Sequence, residues 1–458
     1  MSAAVGGDPL ARAYHRSLAL RWLATVLALP VLVPLLLARG LDLTQVALVM
    51  ATFAAVTAAL EVPTGGLADA FGRVRMTLVA DASTLASGLA FMLAPGLPGL
   101  LAAAALGGAA RALGSGTLEA WYVDARRERD PGGDLQAPLA RAGVVQSLVL
   151  AGAMLAGGAL PLLAPLLGIA AAGDVRALQI TFAVSASVWL VSLAVTARLP
   201  EARAASPEAR LSARRAARPD RVARTALRAV RRDPALALLV ALGAALGAVV
   251  MSVETFLPAE LRSRWGPEGV SLVLGVVMAG AFAATAAGQA LAGRLATTAT
   301  RLPLARAAQG AVLITVGAGL VALDPTGTVQ SATGIVPDTA APAAASIVVG
   351  LAAAGAWLAY FGLGLANPAL AAAFHARVAR GERATMLSLR SLAAYAGGVA
   401  ATLSLGAVAE ASGLSLVWLV VACVAAGAAS TAAVWRGRDV MQDATQGTVA
   451  RPVTADGP

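Results

Sequence analysis

Long apolar segments that follow one another along almost the whole chain constrain its fold more than any other feature. Twelve of them have about the length that a membrane-spanning helix needs, and short stretches that carry the charges separate them. Charged residues make up only 13% of the 458 residues, whereas a soluble domain carries about 25%. The chain is therefore predicted to be an all-α membrane protein, because helices satisfy their own backbone hydrogen bonds in lipid.

The twelve predicted spans are defined by their hydropathy. The first span follows Arg12, Arg16 and Arg21 and could be mistaken for a signal peptide, but no small-x-small cleavage site follows it, so it is predicted to be a retained helix. The predicted spans are residues 18–38, 45–64, 75–95, 98–123, 139–164, 177–198, 235–257, 269–293, 303–323, 345–372, 385–408 and 414–435.

The charges divide the chain into four predicted parts. Residues 1–198 are predicted to form an N-terminal six-helix bundle and residues 234–438 a C-terminal six-helix bundle. Residues 199–233, which include ten arginines, would form a basic cytoplasmic linker, and residues 439–458 a polar cytoplasmic tail. Residues 221–232 have two interpretations, as part of a solvated linker or as an amphipathic helix on the inner leaflet.

The distribution of arginine predicts the topology. All 35 basic residues are arginines, and 30 of them fall on one side of the membrane if both termini are cytoplasmic. The outer loops would then hold only four: Arg39, Arg176, Arg262 and Arg264. The positive-inside rule therefore predicts a multi-pass protein of a bacterial cytoplasmic membrane with cytoplasmic termini. The net charge of +10 is then explained by anionic lipid headgroups rather than by nucleic acid.

Composition excludes several kinds of chemistry. Because the chain contains no lysine, it has neither a Walker A motif nor a lysine that could form a Schiff base. Cys423 is the single cysteine, so no intrachain disulfide can form, and His15 and His375 lie far apart in the sequence. No metal cluster of histidines and cysteines can be built from these residues. The sequence therefore predicts no cofactor, no metal and no enzymatic activity.

Residues 65–75, between the second and third spans, read GGLADAFGRVR. This segment resembles the signature loop of the major facilitator superfamily in both pattern and position. Gly65, Gly66 and Gly72 are expected to permit a tight turn. Asp69 is expected to accept hydrogen bonds from the start of a neighbouring helix, which the resemblance identifies as helix 11, beginning near residues 383–385, in a contact that locks the cytoplasmic gate.

The resemblance extends along the whole chain as a twelve-span layout. It implies that Arg73 of the loop pairs with Asp124 at the inner end of the fourth span. Residues 61–65 (EVPTG) and 115–124 (SGTLEAWYVD) are similar to a bacterial branch of the superfamily that is regarded as efflux carriers. The implied fold is two six-helix bundles of inverted repeats around a site at the membrane midplane.

Charged residues inside predicted spans are functional candidates because a charge in lipid is costly, by about 2.5–3.5 kcal/mol on insertion scales. Arg111, Ser115 and Glu119 step by four residues and are expected to share one ridge of helix 4. Arg111 also resembles the arginine that many family members carry near their proton-coupling site. Together with Glu61 and Asp81, Arg111 and Glu119 could form a proton relay; the alternative is a structural network of ion pairs.

Other polar or aromatic residues could face a substrate cavity, although each could equally serve ordinary packing. Glu254 is expected to snorkel or to pair with Arg262 or Arg264. Because few amides and acids lie at the midplane, a lipophilic substrate is favoured over a sugar. The candidate cavity residues are Phe53, Gln146, Trp357, Tyr360, Asn367 and Tyr395.

The predicted function is secondary active transport, and the resemblance favours proton-coupled efflux of small lipophilic molecules. The alternative is proton-coupled uptake of a metabolite by a symporter of the same fold. A membrane enzyme is disfavoured because no pair of nucleophile and base appears in the sequence. The predicted partners are a small-molecule substrate, protons and the lipid bilayer, without nucleic acid, and the predicted assembly is a monomer.

Overall fold

A computed structural model describes residues 8–130, 135–201, 228, 230–232, 234–294, 354, 357, 360, 361, 364 and 383–434. It describes the backbone alone for residues 62–63, 65–70, 136–137, 140, 234–235, 239, 264–265, 293–294, 383–388, 390, 426 and 428–434. All regular secondary structure in these ranges is helical. The predicted span 303–323, most of the span 345–372, most of the linker and the predicted tail lie outside the described residues.

Nine helices of the described chain lie before residue 202, in the first half of the chain. They are α1 (Pro9–Leu27), α2 (Leu29–Ala38), α3 (Leu43–Phe71), α4 (Arg73–Leu93), α5 (Leu97–Gly114), α6 (Thr117–Arg129), α7 (Gln136–Ala159), α8 (Leu163–Leu166) and α9 (Val175–Thr196). A short 3₁₀ turn, Leu160–Leu162, joins α7 to α8.

In the second half of the chain, the structure describes three helices after residue 233. They are α10 (Pro234–Arg294), α11 (Arg383–Ser412) and α12 (Leu414–Val434). α10 is not one straight helix, because Gly266 adopts φ 71° and ψ 173° and divides it into two spans. The break agrees with the sequence, which predicts separate spans on either side of this position.

Length and hydropathy show a multi-pass membrane protein. Within the described residues, nine helical stretches are long and apolar enough to cross a membrane, and each overlaps a predicted span. Large apolar side chains also lie on the outside of the protein, for example Leu148 at 70% exposure and Leu166 at 81%. A lipid environment explains such exposure, because lipid tails are as apolar as leucine. The total of twelve spans remains a prediction.

The helix connections define two faces of the protein. The terminal face carries Asp8, Gly72 and the segment 197–201, and the distal face carries the connections 39–42 and 167–174. Arg39 closes one helix at the distal face by donating to the carbonyl oxygens of Phe91 and Met92, at 2.7 and 2.5 Å. Its burial lowers the pKa of the guanidinium. Arg39 therefore satisfies carbonyl groups at a helix end, in addition to indicating the topology of the chain through its positive charge.

The two halves pack directly on each other. α10 packs against α7 and α2, and α11 packs against α3. One buried apolar cluster includes Leu27 and Met154 of the first half together with Phe256 and Trp418 of the second. A second cluster, around Leu35 and the other members of α2, belongs to the first half alone. The interface between the halves is thus part of the core of the protein.

Candidate functional site

The signature segment is a one-residue turn in the structure. α3 continues as a helix through Phe71, and Gly72, with φ 101°, is the single non-helical residue before α4 begins. The expectation that Gly65 and Gly66 also form the turn is wrong, because both lie inside α3. A backbone with this φ strongly favours glycine, so the reversal of direction depends on Gly72.

The structure brings Arg73 and Asp124 together at the terminal face. Arg73 Nε lies 2.8 Å from Asp124 Oδ2, and this ion pair joins α4 to α6. Both side chains are partly exposed, so the pair is screened by solvent and contributes modestly to stability. Asp69 was expected to meet the start of α11 beside this pair. The side chains of Asp69 and of residues 383–388 lie outside the described part of the structure.

Glu201 completes this face and was not singled out from the sequence. Its two carboxylate oxygens accept hydrogen bonds from the backbone N–H groups of Val74 and Arg75, each at 3.1 Å. The carboxylate therefore caps the first turn of α4, where the helix dipole favours negative charge. A Cβ on Gly72 would lie 2.8 Å from Cδ of Glu201, so the carboxylate lies directly against this glycine. The available signal was an acidic residue directly after Leu199-Pro200 at the end of a span.

Replacing Glu201 by alanine should destabilise the protein by about 1–2 kcal/mol, because two backbone donors of α4 lose their acceptor. We expect a lower midpoint in thermal unfolding of the purified protein. Glu128→Ala is the matched control, because Glu128 is an exposed residue on the same face. Equal midpoints for the two variants would refute the capping role.

A buried ion pair lies deeper in the first half. Arg21 Nε on α1 donates to Asp81 Oδ1 on α4 at 2.7 Å. The Asp81 side chain is fully buried, and its second oxygen has no hydrogen-bond partner among the described residues. A Cβ on Gly114 would lie 2.8 Å from Arg21 Nη2, so α5 leaves room for the guanidinium. Such a pair is stable only while both charges are present, since removal of one strands the other.

The fourth predicted span is broken close to these charges. The break between α5 and α6 consists of Ser115 and Gly116, and Gly116 adopts the left-handed conformation with φ 69°. The prediction that Arg111, Ser115 and Glu119 share one ridge is therefore wrong, because no continuous helix joins them. Glu119 is exposed in the first turn of α6, where the helix dipole favours a carboxylate.

Threonine hydroxyls satisfy the carbonyl groups that the break leaves free. Thr64 of α3 donates to the carbonyl oxygen of Ala112 at 3.0 Å, and Thr117 donates to that of Gly114 at 3.2 Å. Thr77 of α4 donates to the Thr117 hydroxyl at 2.9 Å. Three helices thus stabilise the break, which explains how irregular backbone is tolerated inside an apolar span.

Arg111 faces the second half of the chain. Its guanidinium carbon lies 5.6 Å from the centre of the Trp22 ring, in a cation–π contact. The Tyr395 hydroxyl of α11 lies within its hydrogen-bonding reach. Arg111 is exposed, and within the described residues it forms no ion pair. It therefore presents a positive charge between the halves.

Glu61 meets the same helix one turn away. Its Oε2 accepts a hydrogen bond from the Ser391 hydroxyl at 2.8 Å. Ser391 and Tyr395 are four residues apart, so they lie on one face of α11. This face presents two hydroxyls to two charged residues of the first half, Glu61 and Arg111. We call these four residues the α11 contact.

Glu254 is a further charged residue near Tyr395. It is exposed on α10 and within electrostatic range of the hydroxyls of Tyr360 and Tyr395. The Tyr360 ring packs edge-on against Phe282 with centroids 6.3 Å apart. The expected pair with Arg262 does not form, because Arg262 Nη1 donates to the carbonyl oxygen of Pro34 at 3.1 Å instead. The side chain of Arg264, the other expected partner, lies outside the described residues.

The other cavity candidates are placed less favourably for binding. Phe53 packs against Gly107 and Gly108 inside the first half. Trp357 donates to the carbonyl oxygen of Val277 at 2.9 Å, so its indole N–H is occupied by packing on α10. Gln146 is half-buried on α7. Asn367 lies outside the described residues.

The two halves approach most closely toward the distal face, at small residues. A Cβ on Gly158 of α7 would lie 3.2 Å from Cα of Gly275 and closer still to the carbonyl oxygen of Ser271, both on α10. A Cβ on Gly275 would in turn lie 2.6 Å from the carbonyl oxygen of Met154. Backbone therefore touches backbone at this crossing, which leaves no space for a side chain.

A second distal crossing joins α3 to α11. A Cβ on Gly406 would lie 2.6 Å from Cβ of Ala47. Glu410 Oε2 accepts from the backbone N–H of Leu43 at 3.2 Å, and the Thr44 hydroxyl donates to the carbonyl oxygen of Gly406 at 3.3 Å. Together with the contact at Gly158, this crossing joins the described helices of the two halves at the distal face.

A cavity of about 470 Å³ opens beside these crossings. Its charged lining residues are Asp174, Arg176 and Arg262, and Gly173 packs against Pro267 at its edge. Two of the four arginines that the sequence places in outer loops thus line this cavity.

Comparison with known proteins identifies relatives of this architecture. The family model described as Major Facilitator Superfamily matches residues 17–360. A mutant of the nucleoside transporter NupG superposes with a TM-score of 0.68 at 14% identity, covering 93% of this chain and all of that one. A mutant of the peptide transporter POT, in complex with sulfate, gives 0.68 at 14% identity, covering 97% and 96%. No curated protein matches the chain. At such low identity the two structures establish a shared fold alone.

Proposed function

This chain belongs to the major facilitator superfamily, and from that premise we propose that it is a proton-coupled secondary transporter that exports small lipophilic organic molecules. The membership itself makes the chain a membrane transporter rather than an enzyme. In the proposal, residues 1–198 and 234–438 form two six-helix bundles. Rocking of one bundle against the other exposes a site between them to each side of the membrane in turn.

The α11 contact is the observation that carries this proposal. Charged residues of the first half, Glu61 and Arg111, meet neutral hydroxyls of the second half, Ser391 and Tyr395. The pair of Glu61 and Ser391 lies where the apolar spans Leu43–Glu61 and Ser391–Ser412 end. A hydrogen bond to a neutral hydroxyl contributes only about 1–3 kcal/mol even when one partner is charged. Binding of a substrate or a proton can therefore break these contacts. Such a change can then alter how the two halves pack on each other.

Protons are the proposed energy source. The chain contains no lysine and so has no Walker A motif of its own for ATP. Asp81 is a suitable proton acceptor because its second oxygen has no hydrogen-bond partner in the described part of the chain. Its protonation would release Arg21 from the ion pair. The other candidate members of a proton relay are Glu61, Arg111 and Glu119.

The terminal face is the proposed gate. Gly72, Arg73 and Asp124 would hold α3, α4 and α6 together as one unit, and in the state that closes this face Asp69 would add a contact to the start of α11. The closed distal crossings support a conformation in which access to the central site is from the terminal face. With both termini in the cytoplasm of a bacterium, this is an inward-facing state of a monomer in the cytoplasmic membrane.

Uptake of a polar metabolite by proton symport is the second candidate function. The observation that favours it is the exposed charge of Arg111, which suits a polar or anionic group better than a purely lipophilic one. The structural neighbours, a nucleoside and a peptide transporter, are compatible with uptake as much as with efflux. The direction of substrate transport is therefore the first property that an experiment has to establish.

The test uses purified protein in proteoliposomes that contain a pH-sensitive dye, with an imposed proton gradient. Lipophilic cations, antibiotics, nucleosides, peptides and sugars are added one at a time, and protein-free vesicles provide the background. Proton movement opposite to an added compound would support antiport and export. Movement of protons together with a nucleoside, peptide or sugar would support uptake and overturn the export proposal. Substrate flux that neither depends on nor causes proton movement would overturn the coupling to protons.

A further inference from the structure

Glu254 differs from three other acidic residues that the structure describes in the apolar helices. Asp81 is paired with Arg21, Glu61 accepts from a serine hydroxyl, and Glu260 accepts from the indole of Trp418 at 3.4 Å. Glu254 has no hydrogen bond or ion pair with any described residue. A partner for this carboxylate charge must therefore come from outside the described residues.

The position of Glu254 makes this charge costly. It lies in the apolar span Leu236–Ser263, nine residues before the distal end, which corresponds to a depth of about 13 Å. A carboxylate at such a depth is unfavourable in lipid and is typical of a functional site. The side chain is exposed, and its neighbours Tyr360 and Tyr395 place it on the inside of the protein. It is therefore accessible from the space between the halves.

Two tyrosines lie near the carboxylate. Tyr360 and Tyr395 both lie within electrostatic range of Glu254, and Phe282 packs edge-on against Tyr360. Aromatic faces attract organic cations, and they also bury an apolar body. A carboxylate beside such rings is thus suited to an ammonium group that carries an apolar substituent.

We propose that Glu254 is a substrate-binding residue and that the transported molecule is an organic amine, whose ammonium group binds the Glu254 carboxylate while its apolar body lies against Tyr360, Phe282 and Tyr395. This inference rests on the proposed transport function and specifies its substrate class. The ammonium group supplies the opposite charge that the described residues lack. The hydrogen bonds are charge-assisted, which makes them stronger than those between neutral groups.

Arg111 gives the bound amine an orientation. The Tyr395 hydroxyl is within electrostatic range of both Arg111 and Glu254, so the two opposite charges flank one site. Like charges repel, so the ammonium group is held on the Glu254 side and the apolar end points toward the Arg111 side. Trp22, which already covers the guanidinium, offers a further apolar surface there.

The test measures equilibrium binding of three probes that share one apolar body: phenylbutylamine, phenylbutanol and phenylbutyrate. Titration calorimetry on the purified full chain should show that the amine binds at least about tenfold more tightly than the alcohol, and that phenylbutyrate binds most weakly. Glu254→Gln should remove this preference, and Glu254→Asp should retain part of it. A charged hydrogen bond is worth a factor of about ten to a hundred in affinity.

The matched control is Glu268→Gln, which removes one exposed carboxylate from the same helix at the distal start of the span Gly266–Ala292. It should keep the preference for the amine. Equal binding of amine and alcohol by the unmodified protein, or an unchanged preference in Glu254→Gln, would overturn the inference. Flux of the three probes is measured in parallel in proteoliposomes. Binding that depends on Glu254 without any flux would refute the transport function alone, whereas flux without preference for the amine would refute the substrate class alone.

Discussion

Replacing Gly158 by valine should lower substrate flux about ten- to a hundredfold, because the distal face can no longer close. The valine side chain would overlap the backbone of α10 at Ser271 and Gly275. Overpacking of this kind costs about 1–3 kcal/mol, and here the cost falls only on states in which α7 and α10 touch. The protein would therefore accumulate in a conformation with an open distal face and stop cycling.

Gly152→Val provides the matched control for this prediction. Gly152 lies on the same helix, and a Cβ built on it meets no atom within 4 Å, so flux should be retained. Spin labels on Ile169→Cys and Glu268→Cys, in a Cys423→Ser background, report the opening as a longer distance between the labels in Gly158→Val. An unchanged distance together with normal flux would show that the glycine crossing is not required for closure.

Replacing Asp81 by asparagine should abolish proton-driven accumulation while downhill exchange of substrate continues. The substitution removes the charge that holds Arg21 and leaves the guanidinium in a largely buried site. Breaking a buried pair in this way costs about 3–5 kcal/mol of stability, so the unfolding midpoint should fall as well. The measurement compares accumulation under a pH gradient with counterflow exchange in the same vesicles.

Two further variants separate coupling from folding. Asp130→Asn, at an exposed position at the end of α6, removes a carboxylate that forms no ion pair with a described residue, and it should behave like the unmodified protein. The double variant Arg21→Gln/Asp81→Asn removes both charges and should recover much of the lost stability without recovering accumulation. Accumulation that remains pH-dependent in Asp81→Asn would exclude this residue as the coupling site.

The apolar spans could be predicted because the signal is local. A membrane-spanning helix needs about twenty apolar residues, and these are adjacent in the sequence. The break at Gly266 was predicted for the same reason, since charged and polar residues separate the two spans there. The meeting of Arg73 with Asp124 was expected from a family resemblance, because no rule of spacing brings together residues that lie fifty positions apart.

The features that were missed depend on contacts between distant segments. Glu201 caps α4 only because α9 ends beside it, and the glycine crossings require two helices from different halves. The break at Gly116 overrode the four-residue spacing of Arg111, Ser115 and Glu119, since a single left-handed glycine interrupts a helix whatever its hydropathy. Glycine is frequent in membrane helices for several reasons, so its frequency alone could not identify the residues that matter.

The length of α3 has a consequence for the lipid environment. Its 29 residues correspond to about 44 Å, whereas the hydrocarbon layer of a bilayer is about 30 Å thick. The turn at Gly72 would then lie at the level of the headgroups, where anionic phosphates compete with Asp124 for the Arg73 guanidinium. Bilayer composition thus becomes a potential regulator of the terminal face. Comparing initial flux in vesicles with and without phosphatidylglycerol tests this, and identical rates would count against it.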